Sequence, residues 1–437
     1  MRRRSLPILV SAALALAAPA FAQSVEVTPL AAPDLFSTAA RDTGLGQDLW
    51  RGASLATARA VLPLVAAKPL SPAAQALARR VLGTGAPGPD GAGQDRALAG
   101  QRVAALLAVG DAPGAAAILS RTAGVERTPD LARAAAEAAL LAGDDDRACQ
   151  IGEALPEGRG DIYWLRLRAY CQQRAGQGGA AQLTFDLAQA QARDAAYGRL
   201  MGARLAGGGS PGAASLRNGL DYALSRSLGL DLSAAQASPA VAAALAQAAP
   251  DRATWKVEAG AGPAGAAVSA LAAGDLATAR RLRGGLVQDQ IPDATPLDLA
   301  LLDAMLAVAE ARPDGPTLDR LVERGGQGEA KVRARAQGGA MLLAAAGAPL
   351  SAQARADLAG FTAGEAKAPP ARALALDLAA DQKLMGETAL VALWICADAG
   401  VGGPALGDRA RIVRALRAAG LEADARAFAV EGLLALR

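Results

Sequence analysis

The chemistry open to this chain is limited by the side chains that it lacks. It contains no histidine, so Ser-His-Asp catalysis, Cys-His catalysis and histidine-based metal sites are excluded. Its three cysteines have no paired metal-binding spacing, and no G-x-x-x-x-G-K-[ST] phosphate loop occurs. No Glu-Ser pair and no S-x-x-K motif is present, which removes two classes of cell-wall enzyme. We therefore predict a protein that is not an enzyme and that uses neither a cofactor nor a metal.

Carboxylates are the remaining groups that could carry out catalysis. The stretch "GDDDRA", residues 143–148, places three of them in a row at Asp144, Asp145 and Asp146. It lacks the alternate spacing and the distal Glu of a calcium loop, so we expect a solvated helix N-terminus there. An enzyme that uses only carboxylates remains an alternative, although no feature of the sequence indicates a catalytic pair of acids.

A turn pattern recurs along the chain at a fixed distance. Gly110, Gly143 and Gly176 are 33 residues apart, and an alanine follows each of them five residues later (Ala115, Ala148 and Ala181). A glycine can end a helix in the left-handed conformation, and the Asp that follows the first two can cap the next helix. The small alanine lets the two helices approach closely. The pattern predicts helical hairpins that stack on one another.

This Gly-Asp-x-x-x-Ala turn resembles the turn of the tetratricopeptide repeat, and the resemblance covers roughly residues 95 to 192. Weaker copies of the turn follow at Gly274/Ala279, Gly347/Ala352 and Gly420/Ala425. The composition also favours an all-α fold, because alanine is abundant and aromatic residues make up only 3% of the chain. The resemblance implies a right-handed α-solenoid of helical hairpins, arranged as one array or in two arms.

The N-terminus has the features of an export signal. Three arginines precede an apolar stretch that ends in Ala20-Phe21-Ala22, so we predict a signal peptide over 1–22, cleavage before Gln23 and a periplasmic protein. The chain has a net charge of +3, and removal of those three arginines leaves the mature chain at zero. A neutral chain has no field that attracts nucleic acid. No second apolar run is long enough to suggest a membrane span in the mature chain.

Breaks in the pattern suggest four segments after the signal. We expect an N-terminal helical segment with a Gly/Pro linker, tetratricopeptide-like repeats, an irregular helical connector and C-terminal helical repeats that end in an amphipathic capping helix. Their bounds are 23–94, 95–206, 207–262 and 263–437.

The hairpin arrangement makes a prediction for the cysteines. Cys149 falls in the second helix of one repeat and Cys171 in the first helix of the next, and these helices are neighbours in a stacked solenoid. In an oxidising compartment the two should form a disulfide that staples adjacent repeats. Cys396, in an apolar helix, should be a buried free thiol.

Aromatic residues and arginines concentrate in the helix that contains Cys171. Tyr163 and Tyr170 share a helix face by their spacing of seven, and Arg166 and Arg174 could join them to line a groove. Tyrosine and arginine are typical anchors of protein interfaces. We therefore predict a periplasmic adaptor that binds a protein of a cell-envelope assembly through this face. The alternative binding function is association with peptidoglycan or another polysaccharide.

Overall fold

The computed structural model describes residues 34–246, 253–258, 262–286 and 295–436. The predicted signal peptide, residues 1–22, and its cleavage position before Gln23 lie outside these ranges. Within them the fold is all-α, as predicted, and the only β pairing is an isolated bridge between Leu216 and Ala237.

We number the helices α1 to α21 in chain order. The first eleven are α1 (Leu55–Ala67), α2 (Pro72–Gly83), α3 (Arg96–Ala108), α4 (Ala112–Leu119), α5 (Pro129–Ala142), α6 (Asp145–Ala154), α7 (Ile162–Arg174), α8 (Gly178–Gln191), α9 (Ala195–Leu205), α10 (Gly219–Ser227) and α11 (Pro239–Ala246). The others are α12 (Pro263–Ala272), α13 (Leu276–Gly284), α14 (Pro296–Ala309), α15 (Gly315–Gly325), α16 (Ala330–Ala345), α17 (Ala352–Ala359), α18 (Pro370–Asp381), α19 (Met385–Ala399), α20 (Leu406–Ala418) and α21 (Glu422–Ala435).

The predicted hairpin turns are present. Gly110, Gly143 and Gly176 have φ angles of +84°, +82° and +75°, the left-handed conformation that glycine adopts without a Cβ clash. The side chain of Asp111 caps α4 through the backbone N–H of Gly114, at 3.0 Å. Equivalent glycines with positive φ stand at the three later turns, Gly274, Gly347 and Gly420.

One of the later turns departs from the predicted spacing. The alanine five residues after the glycine is buried in five of the six turns, at Ala115, Ala148, Ala181, Ala279 and Ala425. Ala352 is exposed instead. The prediction that this alanine packs between the two helices of its hairpin is therefore wrong. The cause is a longer turn: Ser351 caps α17, which makes Ala352 the first residue of that helix. In the regular turns the helix begins two residues after the glycine, and the alanine lies one turn inside it.

The 33-residue hairpins end where the chain turns back on itself. Helix α10 packs against α5, so that α9 and α10 close a small core with α5, α6 and α7. Trp164, Tyr170, Tyr197 and Leu224 fill this core. Helix α8 packs mainly against α7 and α9. The opposite side of α8 is exposed in the described part of the chain.

The first and last helices of the described chain pack together. The carboxylate of Glu387, on α19, accepts hydrogen bonds from the backbone of Ser54 at 2.9 Å and the hydroxyl of Thr57 at 2.7 Å. Glu431, on α21, accepts from the backbone of Ala73 at 2.8 Å. Helix α21 also packs against α14, α16 and α20, and its Phe428 is fully buried. It is therefore a core helix rather than a solvent-facing cap.

The Gly/Pro stretch 83–93 is packed against the segment that precedes α1. Ala86 and Ala92 are fully buried, and the backbone of Gly88 donates to the side chain of Asp34 at 3.1 Å. Nearby, the buried guanidinium of Arg102 donates to the carbonyls of Leu35, Phe36, Thr38, Leu82 and Thr84. This arginine ties the start of the described chain and the end of α2 to helix α3.

Candidate binding surfaces

The predicted disulfide is present. Cys149 on α6 and Cys171 on α7 are bonded, with their Cα atoms 5.6 Å apart. The bond joins the second helix of one hairpin to the first helix of the next, as the repeat spacing indicated. Cys396 is a buried free cysteine, as expected, and burial raises the pKa of its thiol. That thiol is therefore unreactive in the folded protein.

The two predicted tyrosines both point toward the preceding hairpin, but they differ in exposure. Tyr170 is fully buried, and its hydroxyl donates to the carboxylate of Asp145 at 2.9 Å. Burial and the Asp145 charge raise the pKa of Tyr170 to about 12. Tyr163 is half-buried, with the guanidinium carbon of Arg133 4.8 Å from its ring centroid. Tyr170 is thus part of the small core rather than an open surface.

The two predicted arginines are engaged in bonds within the chain. Arg174 pairs with Asp145 at 3.3 Å and with Asp146 at 2.7 Å. Arg166 donates to the carbonyl of Ala192 at 2.9 Å. The four predicted residues therefore connect neighbouring helices and do not form one exposed groove. The two carboxylates that Arg174 meets stand at the start of α6, directly after the turn at Gly143, so the repeat brings this arginine and its partners together. A role for this face in binding stays a prediction.

An exposed apolar stripe runs along α8, on the side that no hairpin covers. Leu183 and Leu187 are 74% and 54% exposed, and exposed Ala180 and Ala190 complete a spacing of i, i+3, i+7 and i+10. We call these four residues the α8 stripe. Asp186 is the only charged residue on the helix. This spacing is the one with which helices interlock in coiled coils, but periodicity alone does not tell an exposed stripe from a buried one.

A second surface is an open cleft between α16, α17 and α20, with a volume of about 520 Å³. Its floor is apolar, and its rim carries a row of three arginines from one face of α20. We call it the arginine cleft. Its lining residues are Met341, Ala344, Ala345, Leu358, Phe361, Ala363, Ala410, Arg411, Arg414 and Arg417.

One carboxylate meets two of the three rim arginines. Asp377, on α18, lies 2.6 Å from Arg414 and 3.6 Å from Arg411. Arg417 instead donates to the carbonyl of Ala345, the last residue of α16, at 3.3 Å. Its guanidinium lies across the turn at Gly347, where a Cβ would come within 2.7 Å of both terminal nitrogens. Within the described chain Arg417 has no carboxylate partner, so the rim is positively charged.

Two described carboxyl groups have a raised pKa, which bears on the carboxylate-enzyme alternative. Burial raises the pKa of Glu137, whose carboxylate accepts from the backbone of Gly219 at 2.7 Å and lies beside the hydroxyl of Tyr163. Burial also raises the pKa of Asp424, which forms an ion pair with Arg80. Neither acid lines the arginine cleft. Each has a bonding partner within the packed helices.

The described residues contain no group of three or more His, Cys, Asp or Glu side chains placed to hold a metal ion. Contrary to the expectation that the mature chain has no apolar run of that length, one segment, Met385–Gly402, is long and apolar enough to cross a membrane by length and composition alone. It consists of α19 and the turn after it, and its Leu390, Leu393 and Cys396 are fully buried in the larger core. That packing accounts for its apolar composition.

The described chain is thus an all-α, solenoid-like array of helical hairpins that presents two candidate binding surfaces. No protein-family model matches it, and no curated protein or solved structure shows significant similarity to it.

Proposed function

We propose that this protein is an exported, tetratricopeptide-like adaptor that binds a partner protein of the cell envelope. The observation that carries the proposal is the α8 stripe. Contiguous exposed apolar surface on a folded chain marks an interaction site more often than isolated exposed residues do. Leu183 and Leu187 belong to an ordered helix whose other face is buried through Ala181 and Ala188. Helix α8 is therefore apolar on both sides, as expected of a helix that packs between two neighbours.

The chemistry of the stripe defines its occupant. With Asp186 as its single charged residue, α8 offers no charge pattern that would select a strongly acidic or basic partner. Its spacing matches the apolar face of another helix laid alongside it. The occupant is an amphipathic helix of a partner protein with leucine-like anchors and few charges beside them. It takes the position that the next hairpin of a longer array would occupy.

Polysaccharide binding has less support from the described surface. The exposed large apolar side chains are all leucine or valine, whereas sugar sites commonly stack their ligand on an aromatic ring. The Cys149–Cys171 disulfide supports export, because such bonds persist in oxidising compartments such as the periplasm. Sequencing the N-terminus of the protein isolated from cells should give Gln23 as its first residue. A chain that retains residues 1–22 would contradict the predicted cleavage.

The binding proposal is tested by crosslinking in living cells from two matched positions. Gln182 on α8 and Gln47, which precedes α1, are both exposed, and their side chains donate at 2.9 Å to Asp186 and to the carbonyl of Gly85. A photo-crosslinking amino acid is placed at one position or the other. We expect one envelope protein to be captured from position 182 and not from 47. Capture of the same proteins from both positions, or of none from 182, would overturn the proposal.

A further inference from the structure

We infer that the arginine cleft binds an acidic amphipathic segment of a protein partner, at a surface separate from the α8 stripe. The cleft is formed by residues of α16, α17 and α20 and of the segment after α17, and it shares none of them with the α8 stripe.

The rim carries more positive charge than the chain itself neutralises. Arg411, Arg414 and Arg417 face one described carboxylate, Asp377, so two positive charges remain in excess. The side chains of Arg411 and Arg414 are 43% and 60% exposed. Each guanidinium has five N–H donors, and the bonds to Asp377 leave most of them free to meet an anion. A partner that enters the cleft therefore gains from carrying carboxylates.

The spacing of the row distinguishes a peptide from a single anionic headgroup. Arg411, Arg414 and Arg417 follow one another at three-residue intervals on α20, so the row extends about 9 Å along the helix at 1.5 Å per residue. A fatty acid has one carboxylate and can neutralise only part of such a row. A partner segment with acids at three- or four-residue intervals places one carboxylate near each arginine.

The floor of the cleft offers apolar surface to the apolar face of the partner segment. Met341, Leu358 and Phe361 lie beside small alanines in a space of about 520 Å³, which is in the usual range for binding pockets. Leu358 and Phe361 are half-buried. A leucine or phenylalanine of the partner would cover the part of these side chains that still contacts water. Grooves bind amphipathic segments through apolar anchors of this kind, with charged residues at the edge.

Arg417 has one hydrogen bond within the chain before any partner binds. Its exposed guanidinium donates to the carbonyl of Ala345 at the end of α16, at 3.3 Å, and lies over the bare backbone of Gly347. A side chain that is already partly positioned loses less conformational freedom on binding than a mobile one. The turn glycine of this hairpin therefore has a second role, because it leaves room for a binding-site arginine.

The test selects ligands from a random peptide library rather than assuming a sequence. A phage-displayed library of 16-residue peptides is panned against the full chain, expressed with its N-terminal segment so that the cell processes it. The same panning uses Arg414→Gln/Arg417→Gln and, as a control that removes the same charge elsewhere, Arg193→Gln/Arg333→Gln. Unfolding curves check that both double variants fold, and the affinity of the best peptide is measured for each protein.

We expect enriched peptides to carry two or more acids on one helical face beside leucine-like residues, and to bind Arg414→Gln/Arg417→Gln about tenfold more weakly. The control variant should bind them like the parent. If the first variant does not fold, binding by the parent must instead weaken about fivefold between 50 and 500 mM salt. Enrichment of peptides without acids, equal binding by both variants or no enrichment would overturn the inference. Displacement of fluorescent laurate with no peptide selected would assign the cleft to fatty acids.

Discussion

Replacing Arg102 with methionine should unfold part of the protein, because this buried arginine ties three segments together. The side chain is 1% exposed, and its donors reach five backbone carbonyls at 2.8 to 3.3 Å. The guanidinium carbon also lies 5.2 Å from the ring centroid of Phe36. Methionine has a similar length but no donor, so Arg102→Met leaves all five carbonyls without this partner.

The size of the effect follows from two opposing contributions. The carbonyl of Phe36 still accepts from the backbone of Ala86 at 3.3 Å, so four carbonyls lose their partner. An unsatisfied buried carbonyl costs about 1 to 3 kcal/mol, and four at the lower half of that range cost about 6 kcal/mol. Burial lowers the pKa of Arg102 to about 10. The charged form of this side chain is therefore less favourable in the folded than in the unfolded protein by about 3 kcal/mol. The variant recovers that second amount at any pH below about 10, where the arginine is charged in both states. The net loss is about 3 kcal/mol.

Urea unfolding followed by circular dichroism measures this loss. Arg96→Met is the matched control, because Arg96 lies on the same helix, is exposed and makes one long bond of 3.5 Å to a backbone carbonyl. The control should change the free energy of unfolding by no more than about 0.5 kcal/mol. Trypsin should also cleave Arg102→Met faster after Arg41, in the segment that Arg102 holds. A loss below about 1 kcal/mol for Arg102→Met would refute this account of the buried arginine.

Three other changes have expected outcomes. Cys149→Ser/Cys171→Ser should lower the free energy of unfolding by about 3 kcal/mol, because the bond closes a loop over a separation of 22 residues. Gly347→Ala and Gly176→Ala should each lose about 1 kcal/mol, because both glycines have positive φ, but only Gly347→Ala displaces the cleft arginine and weakens acidic-peptide binding. Burial raises the pKa of Glu137, so its contribution to stability is full below its usual pKa of 4.5 and falls as pH rises through the raised value. Glu137→Gln should remove that part of the decline.

Denaturant titrations, run at several pH values for the last variant, check these outcomes. A loss below about 1 kcal/mol on removing the disulfide would show that the two hairpins do not need the bond. Equal peptide affinity in the two glycine variants would show that the bare turn has no effect on the cleft. A pH profile of Glu137→Gln that parallels the parent's would show that this carboxyl group titrates normally.

Local features of the fold could be predicted because they depend on short stretches of sequence. The glycine turns follow from the cost of a left-handed residue with a Cβ. The Cys149–Cys171 bond follows from the 33-residue spacing, which makes α6 and α7 neighbours. The exposure of Ala352 was missed because a longer turn keeps the same glycine and shifts only the start of the next helix.

Long-range features could not be read from one sequence. Glu431 meets Ala73 across 358 positions, and no local pattern indicates such a pairing. Tyr170 has the residue type of an interface anchor, and its burial depends on the place where Asp145 lies in the preceding hairpin. The arginine cleft had a visible signal, since Arg411, Arg414 and Arg417 share one face of a predicted helix. The apolar floor beside them comes from α16 and α17, whose positions only the structure gives.

The central claim is that the leucines of the α8 stripe bind a partner, and paired leucine variants test it most directly. Leu183→Gln/Leu187→Gln is compared with Leu374→Gln/Leu378→Gln, which removes two exposed leucines at the same spacing on α18. The measurement is the amount of the captured envelope protein that co-purifies with each variant. The account predicts at least a tenfold loss for the α8 variant and no change for the α18 variant. Undiminished recovery with the α8 variant, or an equal loss with both, would contradict it.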